Sequence, residues 1–192
     1  MLELYAAYWN YEDMMTFTEN LVADVARDVL GTTELMYQGK PLSLAAPWPR
    51  RTMAELASEG CGEEVSVRTP REHLASLLRA RGVEVHASWG AGRCLSELFE
   101  ATCEDNLWSP IFVTDFPVEV SPLARRHPAD DQLTERFEAY CVGRELANGF
   151  SELIDPVDQR SRFEDQARLA AAGHDACAVS GDPSQEAGAD AV

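Results

Sequence analysis

The densest set of residues able to do chemistry lies between positions 138 and 152: Glu138, then Glu145, Asn148, Phe150 and Glu152. If the segment is extended, alternation of side chains puts Asn148, Phe150 and Glu152 on one face. A carboxylate, an amide and an aromatic ring on one wall suit a small cationic ligand, because the ring covers an alkyl stem while the carboxylate pairs with an ammonium. An ordinary solvated strand face gives the same pattern. Glu138 and Glu145 are candidates for holding Mg²⁺, which takes one or two protein carboxylates and fills its octahedron with water and phosphate oxygens. Strict alternation sets Glu145 opposite to Asn148, so the two share a face only if the strand bulges between them, and Ala147 is the expected place. Glu3 and Tyr5 also alternate along an extended N-terminal stretch, a weaker signal of the same kind.

Other chemistries find little support. Gly90-Ala91-Gly92-Arg93 lacks the third glycine and preceding strand of a phosphate-cradling loop, and no G-K-[ST] sequence occurs. The five cysteines are widely spaced with no C-x-x-C, which reads as reduced thiols rather than a disulfide framework or zinc site. The four histidines are scattered. Arg125-Arg126-His127 could meet a phosphate or form a solvated loop.

Positioning this set requires a folded body, and 192 residues with 45% hydrophobic content are enough for one. The formal net charge of −17, with Lys40 the only lysine, argues against a surface that holds nucleic acid or an anionic membrane unaided. No apolar run is long enough to span a bilayer and the N-terminus lacks a basic signal-peptide start, so a cytoplasmic location is expected.

Asn10 and Gly31 bracket a helix in which Met14, Phe17, Leu21, Val25 and Val29 form the apolar stripe. Two β-prone runs, 33–37 and 40–44, flank Gln38-Gly39 as a hairpin. Helices follow over 52–58, from Thr69-Pro70-Arg71-Glu72 as N-cap, first-turn proline and capping-box glutamate, and from Ala91. Ile111–Phe116 reads as a buried strand, 135–142 and 144–153 as two longer strands, and Asp155-Pro156 as the opening of a helix that runs to about Ala172. Beyond it the chain is polar and expected to be disordered.

Several runs have a more specific likeness. Asp115-Phe116-Pro117-Val118-Glu119-Val120-Ser121-Pro122-Leu123-Ala124-Arg125, Glu135-Arg136-Phe137-Glu138 and Gly143-Arg144-Glu145-Leu146-Ala147-Asn148-Gly149-Phe150-Ser151-Glu152-Leu153 resemble segments of the catalytic domain of class II lysyl-tRNA synthetases, and Met1–Tyr8 looks like the end of that class's second motif. The resemblance implies an α+β fold, an antiparallel sheet with flanking helices and a helical insertion. It divides the chain into an N-terminal part of the core (1–51), the insertion (52–109), core strands and helix (110–172) and an acidic tail (173–192). It implies ATP-dependent activation of L-lysine to lysyl-adenylate and transfer to tRNA(Lys), in a family that forms homodimers. Glu3, Tyr5, Asn148, Phe150 and Glu152 match lysine-contacting positions, and Glu138 and Glu145 match carboxylates that position Mg²⁺ and ATP. No residue is assigned a catalytic role of its own. The 192 residues do not include counterparts of the anticodon-binding domain, the first motif, most of the second, or the third. Both phosphate-gripping arginines are therefore missing, so the chain is not expected to charge tRNA by itself, and its sheet edges are expected to be exposed. A non-catalytic paralogue that binds lysine or a synthetase subunit is the alternative.

Overall fold

The computed structural model describes residues 1–171, which fall into two compact units, 1–154 and one beginning at Asp155. The expected tail, with Cys177, lies outside the described residues.

In the first unit, residues 1–9 have no regular structure, and helix α1 (Tyr11–Leu30) follows. Asn10 Oδ1 accepts from the amides of Glu12 (2.9 Å) and Asp13 (3.0 Å), the Asp13 carboxylate accepts from the Asn10 amide, and Gly31 ends the helix at φ 74°. The boundaries are those expected, but the inward face is not. Met15, Glu19, Ala23 and Ala26 are buried, while Val25 and Val29 are exposed. α1 lies against a sheet, where alanines permit close approach, and Glu19 is admitted because it accepts the Trp48 amide at 2.7 Å.

Strands β1 (Glu34–Tyr37) and β2 (Lys40–Ser43) form the expected hairpin, with Gln38 and Gly39 both at positive φ, the conformation of a tight two-residue turn. β3 (Arg50–Thr52) then pairs in parallel with β4 (Ile111–Thr114). This makes the four-stranded sheet β3-β4-β7-β8 mixed rather than wholly antiparallel. The sequence hides β3 because it is three residues long and follows Pro47 and Pro49.

The helical stretch comprises α2 (Met53–Cys61), α3 (Arg71–Arg79) and α4 (Ala91–Thr102), with α4 packed against both others. Thr52 and Glu55 make a capping box on α2. α3 departs from expectation: its N-cap is Pro70, which makes no side-chain cap, because the Thr69 hydroxyl accepts the Ser66 amide and Glu72 pairs with Arg71. Leu74, Leu78, Leu95, Leu98 and Phe99 are fully buried here.

After a 3-10 turn at Glu104–Asn106, β4 enters the sheet. A second 3-10 turn (Val118–Val120) and the short pair β5 (Arg126–His127) and β6 (Asp130–Thr134) lead to β7 (Arg136–Cys141) and β8 (Arg144–Phe150). Trp48, Phe112 and Phe137 stack as the sheet's core, with centroids 5.2 and 5.3 Å apart. The four cysteines among the described residues are free thiols, three of them buried. In the second unit α5 (Pro156–Ala171) starts where expected, with Asp155 Oδ1 accepting the Val157 amide at 2.8 Å. No described helix is long and apolar enough to cross a membrane.

Candidate active-site wall

The β7–β8 hairpin carries the expected cluster. Its two-residue turn, Val142-Gly143, has φ of 56° and 69° and is held from outside. The Val142 amide donates to Trp108 O (3.0 Å) and the Gly143 amide to Leu107 O (2.9 Å). A Cβ on Gly143 would stand 3.0 Å from Asp105 O, so glycine is required for the close approach as well as the turn.

From the turn, Tyr140 faces Glu145; farther on, Ala139 faces Ala147 and Glu138 faces Asn148. Leu146 has no partner in the register. It is the bulge residue, one position before the place expected, and its consequence is the one required: Arg136, Glu138, Tyr140, Glu145, Asn148 and Phe150 share a face.

On that face the polar groups are tied together. Arg136, 9% exposed, donates from Nη2 to Glu138 Oε1 (2.5 Å), from Nη1 to Val120 O (2.8 Å) and Ser121 Oγ (3.0 Å), and from Nε to Asn148 Oδ1 (3.3 Å). Its guanidinium lies over the Phe116 ring, 4.5 Å from the centroid. The Tyr140 hydroxyl donates to Glu138 Oε2 at 2.5 Å; burial and the adjacent Glu138 charge push that phenol far up.

Glu145 is open to solvent on its outer side, yet protein crowds its carboxyl. Burial first, then the charges of Glu138 and Glu104, push it up to about 7 against the opposing pull of Arg136. Burial and Glu138 raise Glu104 as well. Glu104, supplied by the 3-10 turn after α4, is therefore a third acidic group around this end of the wall, and nothing in its sequence neighbourhood announces it.

Phe150 is half-buried and Asn148 exposed. Glu152 lies just past β8, bridged to Ala124, with its carbonyl accepting from Arg125 Nε (3.3 Å) and its side chain exposed. Ser151, between them, is buried and accepts the Tyr11 amide at 3.0 Å, which ties the start of α1 to the end of β8. Glu3 and Tyr5 are both exposed in the irregular N-terminal stretch, outside the sheet.

These segments have close counterparts. Residues 1–176 match the family described as tRNA synthetases class II (D, K and N). The chain belongs to the class II tRNA synthetases. Among curated relatives, it is 49% identical over 173 residues to a lysine–tRNA ligase of Synechococcus sp. (strain CC9902), 48% over 172 to that of Gloeobacter violaceus, and 44% over 179 to that of Bacillus subtilis. The matches cover 90–91% of this chain but only 34–35% of those proteins. The chain thus spans about a third of the length of the curated relatives it matches.

Within this class II synthetase segment, the wall is distinct from the groove of ≈ 340 Å³ that opens elsewhere, between the α4 N-terminus, the second 3-10 turn and β6. The glycine pair at 90 and 92, unconvincing as a phosphate loop, has a different use: the Glu119 carboxylate accepts the amides of Gly90 (2.6 Å) and Arg93 (3.1 Å). Arg125 stands 3.9 Å from Glu135, and Arg126 donates to Asp131 O at 2.5 Å, so the basic cluster is engaged locally.

Proposed function

We propose that this chain contributes the amino-acid and metal-facing wall of a lysine–tRNA ligase. The observation that supports this best is the bulge at Leu146, which gathers Glu138, Glu145, Asn148 and Phe150 on one face, in a chain 44–49% identical to lysine–tRNA ligases. The reaction would join the lysine carboxylate to the α-phosphate of ATP, giving lysyl-adenylate and pyrophosphate, and then pass the lysyl group to tRNA(Lys).

In this reading Glu152 pairs with the ε-ammonium, Phe150 covers the alkyl stem and Asn148 contributes its amide. Glu3 and Tyr5 complete the lysine site once the N-terminal stretch meets the wall. Arg136 keeps the Glu138 carboxylate and the Asn148 amide in fixed orientation, so the wall needs little rearrangement on binding.

The donor set fits Mg²⁺. Among the described residues no group of three or more His, Cys, Asp or Glu side chains forms a closed metal cage. In this reading Glu138 and Glu145 offer carboxylate oxygens to a Mg²⁺ completed by water and phosphate oxygens, Glu138 while also accepting from Arg136 and Tyr140. Burial and the Glu138 and Glu104 charges raise the Glu145 carboxyl despite the pull of Arg136, so a cation beside it would be favoured. When bound, the ion would neutralise triphosphate charge. The dimer and cytoplasmic location follow from kinship alone.

Calorimetric titration with L-lysine tests the reading. Wild type is expected to give saturable heat, Glu152→Gln to weaken binding about tenfold by removing the charged partner, and norleucine, which lacks the ammonium, to bind poorly. Equal heats for wild type and variant, or norleucine binding as well as lysine, would sink the assignment.

A further inference from the structure

We infer that Glu119 is a positioning residue of the wall, acting on it through Arg136. The starting point is an oddity of α4, whose N-cap is glycine and which has no side-chain cap from its own flanking residues. A serine or aspartate at that position would satisfy the helix's free amides locally. Instead the cap comes from Glu119, 29 residues on in sequence, whose two carboxylate oxygens accept the Gly90 and Arg93 amides.

The local sequence is shaped to admit it. A Cβ on Gly90 would stand 2.5 Å from Glu119 Oε2, and one on Gly92 would stand 2.8 Å from Pro117 Cβ. Both positions therefore exclude side chains so that Glu119 can dock.

Glu119 is the middle residue of the 3-10 turn Val118–Val120. The next two residues present Val120 O and Ser121 Oγ to Arg136 Nη1, at 2.8 and 3.0 Å. Arg136 in turn holds Glu138 and Asn148. The path from α4 to the wall thus starts at the exposed Glu119 carboxylate, follows the backbone of its turn, and continues through polar contacts among Val120, Ser121, Arg136 and Glu138, all of which are buried. Among the buried groups a displaced partner is not replaced by water, so a shift of the turn that carries Glu119 strains the Arg136 contacts rather than being absorbed. What the wall binds rests on the function proposed above; the coupling does not.

Amide hydrogen exchange on the full chain reads this directly. Glu119→Ala is expected to speed exchange about tenfold at residues 90–95 and also at 136–150. Glu119→Gln, which keeps one acceptor oxygen, should restore much of the protection in both places. Thr52→Ala, which uncaps α2 in the same helical stretch, should speed exchange in α2 and leave 136–150 alone. Acceleration by Glu119→Ala confined to 90–95 would overturn the inference, as would equal acceleration of 136–150 by Thr52→Ala. If Glu119→Ala fails to fold, urea unfolding of Glu119→Gln, Arg136→Lys and the double variant decides: non-additive effects support the coupling and strictly additive ones refute it. Absence of lysine binding would defeat the proposed function without altering any of these outcomes.

Discussion

Gly149→Ala puts the packing behind the wall to a direct test. Gly149 faces Phe137 across β7–β8, and a Cβ there would lie 2.6 Å from both Cε1 and Cζ of that ring. Ordinary carbon–carbon contact is about 3.5–4.0 Å, so roughly 1 Å of movement is needed. The ring cannot supply it cheaply. Phe137 is 1% exposed and meets Phe112 edge-on at 5.3 Å, and Phe112 in turn packs on Trp48. Overpacking of this kind costs about 1–3 kcal/mol, and for a domain of this size each 1 kcal/mol lowers Tm by roughly 2–4 °C. Urea unfolding measures the loss, and the double variant with Phe137→Leu identifies its origin: the smaller side chain at 137 should remove most of the cost of the added methyl. A Gly149→Ala chain within about 0.3 kcal/mol of wild type, or a double variant whose losses merely add, would refute the account.

Three further outcomes are expected. Arg136→Met takes the guanidinium away from the buried Glu138 carboxylate, to which the Tyr140 hydroxyl is a poor substitute for a positive charge, and should cost about 3–5 kcal/mol in urea unfolding, far more than loss of an exposed arginine would. Because the folded Glu145 keeps its proton up to about 7 against an ordinary 4.5, the native state binds more protons between those values, and stability falls as pH rises through them. Glu145→Gln should therefore be more stable than wild type at pH 8 and indistinguishable near pH 4, and parallel pH profiles would contradict this. Asn10→Ala removes both cap bonds on α1 and should cost about 1 kcal/mol, read as a lower thermal midpoint.

Much of the scaffold was legible in the sequence wherever a local rule decides the outcome. Asn10 and Gly31 bracket α1, Gln38-Gly39 turns the first hairpin, and Asp155-Pro156 opens α5. What escaped depends on partners distant in sequence. Apart from Met15, the inner face of α1 is lined by alanines and one glutamate, residues whose hydropathy says little of burial, and the Trp48 amide and the Arg50 guanidinium make Glu19 acceptable there. Thr69 loses its capping role to a loop contact with Ser66. At the site, alternation placed Asn148 and Phe150 on one face and required a bulge, but the seat of that bulge is a matter of register with β7. Arg136 lies in the family-like run 135–138 without a role that the run itself discloses, because its partners Val120 and Ser121 come from a separate turn.

The unpaired Leu146 divides β8 into two segments with separate phases. On the turn side, Glu145 is aligned by Tyr140; beyond it, Asn148 and Phe150 are aligned by Glu138 and Arg136. A one-residue insertion or deletion in a regular strand inverts everything beyond it. Here the extra residue already absorbs one such step, so the number of residues between Gly143 and Asn148 is fixed as strictly as their identities. Substitutions at Leu146, whose side chain is half exposed, should be widely tolerated in relatives of this chain, whereas its loss should not. In evolutionary terms the position is held by its count rather than by its chemistry.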